Sequence, residues 1–161
     1  HIQIELAYED GIQKVILNGE DISGQIRKEE VGNMASATSG YPFVRAKLLS
    51  LQQDLAARNN VIMDGRDIGT CVLPDAQLKV YLTAGVYTRA MRRCKELQEK
   101  GVECNLEEIA KDIEERDYRD MHREIAPLKA AEDAQVLDSS DMDIDQVVDA
   151  IYRMAVSAGI A

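Results

Sequence analysis

Asn60-Val61-Ile62-Met63-Asp64-Gly65-Arg66-Asp67-Ile68-Gly69 begins as an apolar run and ends as a polar turn flanked by glycines. A short apolar run bounded by turn residues predicts a strand, here over 60–64, feeding a loop. Moving outward, residues 78–82 (Leu-Lys-Val-Tyr-Leu) form a second short strand pattern. A helix is expected over 86–100, stopped by Gly101. Asn105, with Glu108 three residues on, predicts an N-cap and a helix over 106–123, broken before Pro127. Residues 135–137 (Gln-Val-Leu) make a third strand, and 143–158 a closing amphipathic helix. Short apolar strands alternating with helices of this length predict an α/β fold built on a parallel sheet flanked by helices.

The N-terminal part departs from that alternation. Residues 2–7 and 12–18 are β-rich runs, and Glu9-Asp10-Gly11 between them is turn chemistry, so a hairpin is expected. Asn18-Gly19 and Ser23-Gly24 are further breaks. A helix containing Gly32 is expected over 27–38, ended by Gly40-Tyr41-Pro42, and another over 43–58.

Composition narrows the function classes. The 161 residues include 29 acidic and 19 basic ones, a net charge of −10. That excludes a broad nucleic-acid surface, which needs a basic footprint. An anionic ligand must be held by a local basic cluster against the global field. No run approaches the roughly 18 apolar residues of a membrane span. A chain of this length can bury a core of its own, and Met34, Met63 and Met91 read as core filler. Cys71, Cys94 and Cys104 are odd in number and match no zinc spacing, so they read as ordinary thiols of a reducing, cytoplasmic compartment. No metal ligand set is expected, and His122 reads as a surface residue. The start at His1, with no signal pattern after it, reads as the middle of a longer chain.

Three groups of side chains could carry chemistry. In Asp64–Gly69, Arg66 can bind a phosphate through two parallel hydrogen bonds, and Asp67 can accept from an amino group. Ligands of open α/β sheets bind beyond the carboxyl ends of strands, but a polar turn with a local ion pair explains the same residues. On the helix over 106–123, Arg116, Asp120 and Arg123 share one face, which continues an apolar stripe through Ile109 and Ile113. A surface Arg–Asp pair worth about 0.2–0.5 kcal/mol is the plainer reading of that spacing. Arg119, four residues before Arg123, adds a like charge that tilts the cluster toward an anion. Arg89, Arg92, Arg93 and Lys95 are either a mobile arm for phosphates or a solvated face paired with Glu96 and Glu99.

Taken jointly, the pieces are far more specific. The region of Ser36 ending in Tyr41-Pro42-Phe43-Val44-Arg45, the run 62–70, and Glu115-Arg116-Asp117-Tyr118-Arg119-Asp120 followed by Arg123 resemble bacterial cytidylate kinases in order and spacing. Residues 19–24 and 136–139 join the resemblance, which runs through essentially the whole chain. It implies a P-loop nucleoside-monophosphate-kinase fold with a small β-rich insert in its monophosphate-binding lobe. The lobe and its hairpin would occupy 1–58, the rest of the core 59–161, and a lid segment about 88–125. It implies phosphoryl transfer from ATP, with Mg2+, to CMP or dCMP in a cytoplasmic monomer, with no nucleic-acid or membrane partner.

Residue by residue, the resemblance implies that Ser36, Arg45, Asp67 and Arg123 surround the cytosine. Asp67 and Ser36 would take its amino side, the two arginines its carbonyl and ring nitrogen. Asp120 would accept from the ribose hydroxyls. Arg66 and Arg116 would hold the monophosphate and the transferring group, with Arg66, Arg116 and Asp67 nearest the reaction. Arg92 and Arg93 would close over ATP. Phosphoryl transfer needs positioning and charge neutralisation more than a nucleophile, which suits an arginine-rich chain. One departure is plain: no Gly-Lys dipeptide occurs, so the family's Gly-rich phosphate loop is missing from these residues, and by themselves they are expected to be inactive. A CMP-binding remnant without catalysis, a kinase for UMP or AMP, and a purely structural protein remain as alternatives.

Overall fold

The computed structural model describes residues 2–160, and the side chains of all these except Glu29, Asn33 and Ser36. The chain divides into two compact units, one through Leu51 and one from Gln52 onward.

The first unit opens with β1 (Ile4–Glu9), β2 (Ile12–Leu17) and the short β3 (Glu20–Asp21), an antiparallel sheet in the order β1-β2-β3. The expected hairpin is present, with Ile4 opposite Leu17 and Glu9 opposite Ile12. Its turn works because Asp10 and Gly11 both take positive φ, 52° and 77°; Asn18 and Gly19 do the same at 50° and 88° before β3. Two consecutive positive-φ residues match the right-handed twist of the strands they join, and Asp-Gly and Asn-Gly tolerate them best. Helices α1 (Glu29–Thr38) and α2 (Pro42–Arg58) follow. Pro42 sits at the first position of α2, where its missing N–H costs nothing.

The second unit, beyond the end of α2, holds β4 (Val80–Thr83), α3 (Val86–Glu99), α4 (Leu106–His122), β5 (Gln135–Asp138) and α5 (Ile144–Ser157). Strands β4 and β5 pair in parallel, Val80 opposite Gln135 through Thr83 opposite Asp138. The parallel sheet expected from the alternation is therefore present, and α3 and α4 form the crossover between its strands. Gly101, at φ 72°, lets the chain leave α3. Asn105 Oδ1 accepts from the Glu107 and Glu108 amides at 3.1 and 3.4 Å and caps α4. Asp143 and Gln146 close a reciprocal capping box on α5.

Three expectations fail. Residues 60–64 are not a strand. A strand needs a neighbour for its ladder, and among the described residues the parallel sheet consists of β4 and β5 alone; Ile62 is fully exposed. The buried apolar core is also small. Among the described residues only Val72, Ala84 and Ala90 are buried hydrophobics, and Met34 and Met91 are exposed rather than packed. Lastly, Cys94 and Cys104 are joined in a disulfide, and only Cys71 is a free thiol. An odd cysteine count concealed a pair that the turn between α3 and α4 brings together.

Candidate functional site

The loop 65–67 meets the C-terminal half of α4. A Cβ on Gly65 would lie 2.9 Å from Ile68 Cγ1, so glycine lets the Ile68 side chain fold back against the loop. The chain then makes one wide turn over Ile68–Val72, with the Leu73 amide donating to the Ile68 carbonyl at 2.7 Å. Such i→i+5 turns often sit at functional sites; nothing in the sequence pattern marked this one.

Arg66 Nε donates to Asp120 Oδ2 at 2.9 Å. Beside it, Arg123 Nη2 lies 3.7 Å from Asp67 Oδ1. Two adjacent loop residues, positive then negative, thus face a negative and a positive residue one turn apart on and just after α4. The pairing is crosswise, and each charge has its opposite. Burial is uneven: the Asp120 side chain is 7% exposed and that of Arg66 is 42% exposed. Asp67 and Arg123 are both largely buried, at 14% and 17%. Arg66 is therefore held through Nε while much of its side chain stays exposed.

The backbone after α4 completes the arrangement. Arg123 Nε donates to the Ala126 carbonyl at 2.7 Å, and the Leu128 amide donates to the Asp120 carbonyl at 2.8 Å. Ala126 adopts φ 50°, a left-handed conformation that costs a non-glycine residue about 1 kcal/mol or more.

The structure redistributes the partners expected from spacing. Asp120 pairs with Arg66, 54 positions away, and not with Arg116 on its own helix face. Arg116 is exposed. Arg89 Nη2 donates to Asp117 Oδ2 at 2.6 Å and its Nε to the Ala84 carbonyl at 2.9 Å, tying α3 to α4 and to the end of β4. Asp117 was legible only as one more charge in α4, because no local spacing links it to a residue 28 positions earlier. Arg92 donates to the carbonyls of Ser139 and Met142. Ser139 is buried and donates to the Thr83 carbonyl at 3.0 Å. Arg92 is thus a strut between α3 and the segment after β5. Arg93 pairs with Glu96 at 3.0 Å on an exposed face.

Ser36 lies in α1, and its side chain is outside those described. Arg45, on α2, reaches the Ser39 carbonyl at 3.4 Å through Nη1. Both belong to the first unit. His122 is a surface residue as expected, its ring stacked on Tyr118 at 4.0 Å.

At the end of β5, the Asp138 carboxylate accepts from the Ser140 hydroxyl at 2.6 Å and the Ser140 amide at 2.9 Å. These bonds, the hydroxyl first, hold its pKa below the usual 3.8. The Ser140 hydroxyl in turn accepts from the Gly85 amide at 2.9 Å, at the start of α3.

The fold and the site together define an α/β protein with a parallel sheet, in which arginines and carboxylates from the loop 65–67 and a crossover helix converge. The family model for cytidylate kinase matches residues 1–157. The chain is 50% identical over 148 residues to the cytidylate kinase of Lactobacillus johnsonii, covering 92% of this chain and 64% of that protein. It is 47% identical over 147 residues to the cytidylate kinase of Pasteurella multocida, covering 91% of this chain and 65% of that one. To cytidylate kinase 1 of Haemophilus influenzae it is 44% identical over 161 residues, covering 100% of this chain and 70% of that one. The chain belongs to the cytidylate kinase family, and it spans just under two thirds of the length of the first of these relatives. Among the described residues no helix is long and apolar enough to cross a membrane.

Proposed function

We propose that this chain carries the nucleoside-monophosphate side of a phosphoryl-transfer site that takes CMP or dCMP to CDP or dCDP at the expense of ATP. The observation that carries the reading is the crosswise set Arg66–Asp120 and Asp67–Arg123. Two charge pairs side by side, in a chain matched along residues 1–157 by its family, support that reading.

The roles follow from donors and acceptors. Asp67, accepting only, takes the exocyclic amino group of cytosine, and Arg123 donates to the carbonyl and ring nitrogen. For Ser36 and Arg45, both in the first unit, the resemblance to the family supports a role toward the base, and β1–β3 correspond to its β-rich insert. Asp120 keeps Oδ1 for a ribose hydroxyl while Oδ2 holds Arg66. Arg66, held through Nε, and the exposed Arg116 bind phosphate oxygens. In the reaction, an oxygen of the CMP phosphate forms a bond to the terminal phosphorus of ATP, and the bridging P–O bond breaks to release ADP. Arginines fixed before the reaction neutralise charge that develops on the transferring group.

The contacts to ATP are less developed in these residues. Arg93 can exchange its exposed partner Glu96 for a phosphate at little cost, since such pairs are worth about 0–1 kcal/mol. Arg92 is already engaged with two carbonyls, so Arg93 is the better ATP contact. Among the described residues no group of three His, Cys, Asp or Glu side chains could hold a metal. The residues present do not by themselves assemble a Mg2+ site.

Calorimetric titration of the chain with CMP, dCMP, UMP and AMP tests the proposal. Preferential binding of CMP and dCMP is expected. Equal binding of UMP or AMP would move the reading to another monophosphate, and no binding of any would return the arginines to a structural role. Binding without transfer when ATP and Mg2+ are added would identify a binding part of the site alone.

A further inference from the structure

We infer that Cys94 and Cys104 form a reversible thiol–disulfide latch across the tip of the α3–α4 hairpin, a modification site for small-molecule disulfides and thiols. Cys94 lies in the last turns of α3, and Cys104 immediately precedes Asn105, the cap of α4. Their Cα atoms are 5.6 Å apart, ten positions apart in sequence. That distance is in the middle of the range that a disulfide bridges without backbone movement, so the same hairpin accommodates the dithiol and the disulfide.

Three features make the bond a latch rather than a permanent staple. Both cysteines are half-buried, and Gln98, Gly101, Val102 and Glu103 around them are exposed, so a small thiol or disulfide can reach the sulfurs. No core rests on the bond: the buried Ala90 lies a full turn earlier on α3. The hairpin also has a second fastening toward its other end, the Arg89–Asp117 ion pair with Arg89 bound to the Ala84 carbonyl. Opening the disulfide therefore frees the tip and leaves the α3–α4 pairing in place.

The exchange balances with a glutathione-type disulfide as oxidant. One thiolate of the pair, having lost its proton, attacks a sulfur of that disulfide and expels one small thiolate, which takes up the proton. The second thiolate attacks the protein sulfur of the mixed disulfide and expels the second small thiol. Two electrons pass from the protein pair to the small disulfide, and reduction reverses each step. Cys71, half-buried in the turn after Asp67, takes no part.

The latch is read without nucleotide, so its failure leaves the proposed function untouched. The chain is equilibrated in graded mixtures of reduced and oxidised glutathione. Intact mass then counts the hydrogens lost, and peptide mapping locates the bond. Trypsin cleavage after Lys95 and Lys100 reports the freedom of the tip. Cleavage is expected to be roughly ten- to hundredfold slower in the oxidised chain, since closing a short loop restricts the opened state. Cys94→Ser and Cys104→Ser should each cleave at the fast rate in either buffer, and Cys71→Ser should keep the switch. Three results would overturn the inference: a glutathione adduct on Cys94 or Cys104 that never resolves to the linked pair, equal cleavage in both redox states of the unaltered chain, or a bond that reduces only after global unfolding.

Discussion

Removing either partner of the Arg66–Asp120 bond should destabilise the second unit unequally, and the structure sets the order. In Arg66→Ala the Asp120 carboxylate, 7% exposed in the intact pair, loses its charged donor. Stranding a buried charge in this way costs about 3–5 kcal/mol. In Asp120→Ala the stranded group is the Arg66 guanidinium, which is 42% exposed and can hydrate. The loss there is that of a hydrogen bond to a charged group, about 1.5–3 kcal/mol, at the lower end because solvent already screens the arginine. Arg66→Ala should therefore be the worse variant by roughly 1–2 kcal/mol, even though it removes the more exposed side chain. Urea unfolding followed by circular dichroism measures this. With urea slopes of about 1–3 kcal/mol/M, the two midpoints should differ by on the order of 1 M. Equal midpoints, or a lower one for Asp120→Ala, would refute the reasoning. The double variant should recover part of the Arg66→Ala loss, because it leaves no buried charge unpaired.

Asp67→Ala and Arg123→Ala should each weaken CMP binding by about 1.5–3 kcal/mol, roughly ten- to hundredfold; calorimetry showing unchanged affinity for both would remove the pair from base recognition. Asp120→Ala should reduce affinity for CMP more than for dCMP by about one charge-assisted hydrogen bond, roughly 1.5–3 kcal/mol, and an equal loss for both nucleotides would take Asp120 away from the 2′-hydroxyl. Arg89→Ala should lower stability by about 1.5–3 kcal/mol with little change in CMP affinity, since its partners are Asp117 and the Ala84 carbonyl; a loss of affinity with stability intact would contradict that. Asp138 is held below its usual pKa of 3.8, so the stability it confers is present above that value and lost as pH falls through the lowered folded value. Asp138→Asn should flatten the acid limb of the stability profile, as read from urea midpoints across the acidic range.

Much of this protein is local in origin. Asp10-Gly11 and Asn18-Gly19 can adopt the paired positive φ values that a tight hairpin demands, so the sheet β1–β3 begins in dipeptide chemistry. Asn105 and the Asp143–Gln146 box start α4 and α5 with side chains two or three residues from the amides they satisfy. The alternation of runs pointed to the parallel pairing of β4 and β5, since parallel neighbours need a long crossover such as α3 and α4 supply. The family, too, was legible from motifs in order.

Tertiary structure decided what depends on distance across the chain. Helical spacing offered Arg116 to Asp120, yet Asp120 faces the loop and takes Arg66 instead. Periodicity on one helix cannot tell which opposite charge another segment will present. Arg92 had the composition of a phosphate arm, and the chain after β5 placed two carbonyls within its reach. Residues 60–64 had the composition of a strand, but a strand exists only through its neighbour's hydrogen bonds. Cys94 and Cys104 became a pair because Gly101 and the Asn105 cap fold α3 and α4 back on each other. Sequence states which groups are available; which of them meet depends on how the elements pack.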